Sequence, residues 1–152
     1  NPKIKDKLNT ELTELLRVKN MKTLKKIMLE EMNKITGIVV DAAMDVHSAL
    51  GPGLLESVYE QCLAHELELR GLKVERQVAI PVVYKKAELE VGFRIDLLVQ
   101  DCLIIELKAV ETVLPIHEAQ VFTYLRLTDS RVGLLLNFNV VSMKNGIKRI
   151  IL

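Results

Sequence analysis

The feature that most constrains the fold is a change of period at Gly71: before it apolar residues recur at helical spacing, and after it they alternate. Ile35, Ile38, Val39, Ala42, Val46 and Leu50 trace one helical face up to Gly51-Pro52-Gly53. Proline cannot continue the hydrogen-bond ladder there, and glycine accepts the left-handed geometry of a helix end. Residues 54–70 then place Leu55, Val58, Cys62, Leu63 and Leu67 on one face of a second helix that Gly71 stops. Three strands are predicted next, over residues 73–84, 89–100 and 102–110, separated by turns at Lys85-Lys86-Ala87 and Gln100-Asp101. Pro115, at a legitimate first-turn position, opens a helix over residues 116–127. Two further strands, residues 132–137 and 147–152, flank a turn at Lys144-Asn145-Gly146. Short turns between consecutive strands imply an antiparallel meander, and the helix before Val132 permits one crossover into a parallel position. The expected architecture is α/β: a mixed β-sheet flanked by helices.

At 152 residues the chain has the size of one ordinary domain, and its 49% hydrophobic and 27% charged residues suit a globular protein with one core. An extra N-terminal helical segment is expected over residues 1–30, where Leu8, Leu12, Leu15 and Leu16 recur at helical spacing as one or two amphipathic helices. The remaining domain is expected to run over residues 31–152. The chain begins at Asn1, and Met21 is a candidate native start. No apolar run approaches the ~20 residues of a membrane helix. No apolar stretch follows Lys3, Lys5 and Lys7, so a cytoplasmic protein without a leader or membrane contact is expected. With 21 basic and 20 acidic residues the net charge is +1, so no global field advertises nucleic acid, and 4% aromatics without Trp argue against a base-stacking platform. Two cysteines, Cys62 and Cys102, are too few for a zinc or iron–sulfur site and are expected to be reduced and inert.

The second and third strands carry residues out of keeping with a plain core. Strict alternation puts Ile95, Leu97 and Val99 on one face of the second strand and Arg94, Asp96 and Leu98 on the other, and it groups Ile104, Glu106 and Lys108 on the third. A turn centred on Asp101 would set Asp96 directly opposite Glu106, their Cβ atoms roughly 4.5–5.5 Å apart. Two carboxylates that close repel one another. A divalent cation between them reverses the sign, and an all-oxygen donor set points to a hard ion such as Mg²⁺ or Mn²⁺. Lys108, two residues along and ~7 Å away, could hold a water or phosphate oxygen beside that ion. A solvated polar face with a single ion pair accounts for the same three residues.

Asp96 followed by Glu106-Leu107-Lys108 on the next strand resembles the PD-(D/E)XK nuclease superfamily, with Ile95 where proline precedes the Asp in the named motif. Gly53-Leu54-Leu55-Glu56-Ser57-Val58-Tyr59 resembles the signature of the bacterial GxxExxY family, and the similarity extends over residues 35–152 through His47-Ser48-Ala49-Leu50, Asp96-Leu97-Leu98-Val99 and Asn137-Phe138-Asn139. Gln120-Val121-Phe122-Thr123-Tyr124 resembles the QxxxY element of RecB-like exonucleases. The resemblance implies a restriction-endonuclease-like αβββαβ core and a metal-dependent phosphodiesterase. Asp96, Glu106 and the backbone carbonyl near Leu107 would ligate Mg²⁺ or Mn²⁺, with Glu56 as a further ligand or supporting carboxylate, Tyr59 and Glu60 lying near its face. Lys108 would position the attacking water, and Gln120 would support it. Tyr124 would help orient Lys108 or bind phosphate, and Arg94 would contact a phosphate. Each has a plainer reading: Glu56 as a carboxylate favoured by the helix dipole, Gln120 and Tyr124 as a polar helix face, Arg94 as a strand-edge ion pair. His47 is expected to be a core or helix-end histidine rather than a ligand. The nucleic-acid partner implied is DNA ahead of RNA. Two other functions share the fold: a catalytically silent nucleic-acid-binding or protein-assembly module, and a homodimer or partner-activated complex formed through the N-terminal helical segment.

Overall fold

In the computed structural model residues 2–152 are described; Asn1 lies outside the described residues, as do the side chains of Pro2, Lys3, Lys5 and Val91. Helix α1, Pro2–Leu50, is a single uninterrupted helix, the simpler of the one or two expected before residue 31, and it runs on through the helical face of Ile35 to Leu50. The reason is local: no glycine or proline occurs between Pro2 and Gly37, so nothing breaks the ladder. The chain divides into two compact units, Asn1–Lys34 and Ile35–Leu152. The described residues of the first are all helical, with short-range ion pairs Glu14–Arg17, Lys26–Glu30 and Glu31–Lys34 and with Leu8, Leu12, Leu15 and Leu24 exposed.

The second unit contains the end of α1, then α2 (Glu56–Leu69), β1 (Val74–Tyr84), β2 (Ala87–Val99), β3 (Leu103–Lys108), α3 (Pro115–Thr128), β4 (Val132–Asn137), a short 3-10 turn (Met143–Gly146) and β5 (Ile147–Ile151). The five strands lie in sequence order in one sheet. All neighbours are antiparallel except β3 and β4, which α3 joins in parallel. This mixed sheet flanked by helices is the expected α/β architecture. No helix is long and apolar enough to cross a membrane among the described residues.

Two packed layers hold the sheet. Against α3, residues Val121, Tyr124 and Leu125 bury Ile80, Ile95, Ile104, Leu135 and Ile150. Gly133 on β4 makes room for this helix, because a Cβ there would lie 2.7 Å from Val121 Cγ1. Elsewhere α2 buries Tyr59, Leu63, Ala64 and Leu67, and Tyr59 stacks on Phe138 with ring centroids 4.6 Å apart. The Tyr59 hydroxyl donates to Gly51 O at 2.6 Å and accepts from Leu54 N at 3.1 Å. It thereby pins the loop that delivers the chain into α2, instead of facing the carboxylates.

Buried Asn137 closes the end of β4. Its Oδ1 accepts from Val110 N and its Nδ2 donates to Val110 O, at 3.1 and 2.9 Å, tying the chain just beyond β3 to β4. Gly146 passes so close that a Cβ would lie 2.0 Å from Asn137 O. Gly146→Ala is therefore expected to lower stability by about 1–3 kcal/mol in denaturant unfolding, the usual cost of overpacking against backbone. An unchanged midpoint would show that the Asn137 clamp yields freely.

Candidate functional site

The hairpin register is the expected one over the three pairs Leu97↔Ile105, Leu98↔Ile104 and Val99↔Leu103, and there it stops. Instead of continuing as a bonded pair with Glu106, Asp96 turns its Oδ2 to the Leu107 main-chain N–H at 2.9 Å. On its other edge β3 stays paired with β4 as far as Lys108↔Asn137. Strands β2 and β3 thus fork at Asp96, and the polar side chains collect in the fork. A carboxylate stands in for the missing ladder acceptor, so the buried Leu107 amide is satisfied.

Glu106 and Lys108 share a face, as alternation requires. Lys108 Nζ lies 3.4 Å from Glu106 Oε1 and 3.2 Å from Gln120 Oε1 on α3. Gln120 Nε2 in turn donates to the Tyr124 hydroxyl at 2.8 Å. With both ends of its amide engaged, Gln120 has one orientation, and Lys108 is aimed by it. Tyr124 is buried, with its ring against Phe93, so it stands behind Gln120 rather than at the surface. Burial and the Glu106 charge push its phenol up to about 12, so it remains protonated.

The carboxylates are held out of their usual range. Burial, then the neighbouring Asp96, push Glu106 up to about 8, with Lys108 opposing. Asp96 is raised chiefly by burial, against the stabilising Leu107 N–H, and Glu56 is raised by burial and by Asp96. Glu106 Oε2 is buried without a hydrogen-bond partner. Such an oxygen costs several kcal/mol if ionised and alone, so it calls for a proton or a cation. The pH dependence follows. The unfolded chain loses this proton near 4.5 and the folded chain only near 8, so stability falls as pH rises through that window. Asp96 and Glu56 shift in the same direction. In metal-free buffer the melting temperature should be lower at pH 8.5 than at pH 5.5, a loss on the order of a few kcal/mol that Glu106→Gln should largely remove. A wild-type profile as flat as the variant's would contradict the buried ionisation.

Glu56 opens α2, as expected, and lies near enough for Asp96, Lys108 and Glu60 to act on its charge. Among the described residues, however, no three His, Cys, Asp or Glu side chains form a group that could hold a metal ion, so Glu56 is not gathered with Asp96 and Glu106 as a third ligand. Glu60 is buried and occupied, accepting from Arg76 Nε at 3.1 Å and Gln77 Nε2 at 2.7 Å. Arg94 is exposed. Its expected common face with Asp96 does not survive, because the alternation breaks there. Ile95 packs in the α3 layer with Ile80 and, at its edge, Val78, whereas Arg76, paired with Leu97, reaches Glu60 on α2. Consecutive odd residues of β2 therefore face different layers on either side of Asp96. His47 is a buried structural histidine, its Nε2 2.8 Å from Val140 O. Cys62 and Cys102 are half-buried thiols outside any disulfide, and Cys102 Sγ donates to Val99 O at 3.7 Å.

Two residues of this neighbourhood escaped the sequence reading altogether as site residues, Gln77 and Arg76. The one available signal was the polar run Glu75-Arg76-Gln77 at the head of an otherwise apolar strand. Asn137 was visible only as part of a motif, although an Asn closing the buried run Val132–Asn137 must find hydrogen-bond partners.

A forked mixed sheet with an Asp on one tine and Glu-x-Lys on the other defines a nuclease-type α/β domain. A family model described as the PD-(D/E)XK nuclease superfamily matches residues 33–150, and the chain belongs to that superfamily. Comparison with curated proteins and with solved structures gives no match. Nucleases of this superfamily generally use divalent metals such as Mg²⁺. The residues present fit such an ion at Asp96 and Glu106: the donors are all oxygen, and Glu106 Oε2 is buried and lacks any partner.

Proposed function

We propose that the chain is a metal-dependent nuclease that hydrolyses phosphodiester bonds at the β2–β3 fork, with DNA rather than RNA as its substrate. The observation that carries this reading is Glu106: one oxygen buried without a partner, the other beside Lys108, and the Asp96 charge close enough to raise its pKa. Asp96, Glu106 and the Leu107 main chain would hold Mg²⁺ or Mn²⁺. Bound there, the cation would polarise a phosphoryl oxygen and lower the pKa of a water. Lys108 places its ammonium beside the attacking water and stabilises the charge that develops on the phosphoryl oxygens. Gln120 holds Lys108 in that position, and Tyr124 holds Gln120. Glu56, at the head of α2, orients water at the open side of the carboxylates. Exposed Arg94 offers a phosphate contact on β2.

The finer placement within the superfamily rests on two motifs. Gly53 to Tyr59 supports the GxxExxY branch, in which Tyr59 sets the loop and Glu56 faces the site. Gln120 and Tyr124 support a RecB-like QxxxY element, since the two side chains bond to each other and to Lys108. The test is cleavage of labelled single- and double-stranded DNA and RNA in Mg²⁺, in Mn²⁺ and in a chelator. Metal-dependent cleavage of DNA is expected. No cleavage of any of the four in either metal would favour a silent binding module.

A further inference from the structure

Among the described residues six non-glycine positions have positive φ, and five serve a turn or a helix end: Lys85, Lys86, Gln100, Asp101 and Asp129. The sixth, Gln77 at φ 52°, lies inside β1. A left-handed residue within a strand is disfavoured sterically and persists only where its surroundings hold it. The pairs Arg76↔Leu97 and Val78↔Ile95 bracket it, so Gln77 stands opposite Asp96. Its backbone turn lets Arg76 reach α2 while Val78, two residues on, packs toward α3.

The side chain uses that position. Gln77 Nε2 donates to Glu60 Oε2 at 2.7 Å and to Asp96 Oδ1 at 3.3 Å, and Arg76 Nε holds the other Glu60 oxygen at 3.1 Å. With the amide reversed, its oxygen would face two carboxylates, so electrostatics leaves one orientation. Asp96 therefore receives one N–H on each oxygen, from Gln77 and from Leu107, and each oxygen retains lone-pair capacity.

We infer that Gln77 is a positioning residue for Asp96: with Glu60 and Arg76 behind it, its amide fixes the one rotamer in which Asp96 offers a lone pair to a cation shared with Glu106. This rests on the metal-dependent reading above. Outer hydrogen-bond partners of metal ligands commonly govern affinity by ~10–100-fold.

The test is Mn²⁺ binding, read as free Mn²⁺ by electron paramagnetic resonance, with circular dichroism and thermal unfolding in chelator as folding controls. Gln77→Gly keeps the left-handed backbone and removes the amide. Gln77→Glu keeps the length and replaces the donor with a carboxylate oxygen. Both should weaken Mn²⁺ binding ~10–100-fold, and Asp96→Asn should abolish it. Arg76→Met, which leaves β1 intact and frees Glu60, should weaken binding by at least about 3-fold and serves where the Gln77 variants fail to fold. Gln77 variants that bind like wild type while Asp96→Asn does not, or an Arg76→Met that binds like wild type, would overturn the positioning role and leave the metal site standing. A wild type that binds no Mn²⁺, or an Asp96→Asn that binds as well as wild type, would overturn both.

Discussion

Replacing Lys108 with alanine should lower turnover on saturating nucleic acid by ~100-fold or more while changing substrate affinity by only a few-fold. The expectation comes from where the ammonium sits. Lys108 is 15% exposed, bonded to Glu106 and Gln120, and so already aimed before any substrate arrives. A charge held in place this way gains most when negative charge builds up in the transition state, and such differential binding appears in turnover. A groove lysine would behave in the opposite way. Its loss would weaken binding and reduce the salt dependence by about one counterion, with turnover preserved.

The second large effect concerns the carboxylates of the β2–β3 fork. Millimolar Mg²⁺ or Mn²⁺ should raise the melting temperature of the wild type, and Asp96→Asn should abolish the rise. A ligand at a hundred times its dissociation constant contributes about 2.7 kcal/mol, which for a domain of this size corresponds to roughly 5–11 °C. The cation gains the attraction of two carboxylates that otherwise repel, so the effect should be larger at pH 8 than at pH 6, where Glu106 holds its proton. A wild type indifferent to metal at pH 8 would argue against a cation site at Asp96 and Glu106.

The elements were legible because their punctuation is strong. Gly51-Pro52-Gly53, Gly71 and Pro115 each enforce a boundary through backbone geometry, and the structure places the ends of α2 and α3 within a few residues of them. Hairpin arithmetic from the Gln100-Asp101 turn gave the correct register for Leu97, Leu98 and Val99. Glu-x-Lys on a strand can only put Glu106 and Lys108 on one face, and it does. What alternation could not foresee is a residue that breaks it without being glycine. Gln77 carries no compositional mark of a left-handed backbone, so the change of face at Asp96, and with it the placement of Arg94, became visible only in three dimensions. The burial of Glu60, a residue that helical spacing places near Glu56, was hidden for a different reason. Its burial depends on how α2 packs on β1, and within its own helix it is one acidic residue among four.

The most direct measurement is single-turnover cleavage of end-labelled DNA by wild type and Asp96→Asn, prepared identically, in Mg²⁺ and after chelation. The predicted result is cleavage by wild type that stops on chelation and returns with metal, with Asp96→Asn folded, able to bind DNA and inactive. Cleavage by Asp96→Asn at the wild-type rate, or none by wild type in Mg²⁺, would contradict a phosphodiesterase centre at the β2–β3 fork.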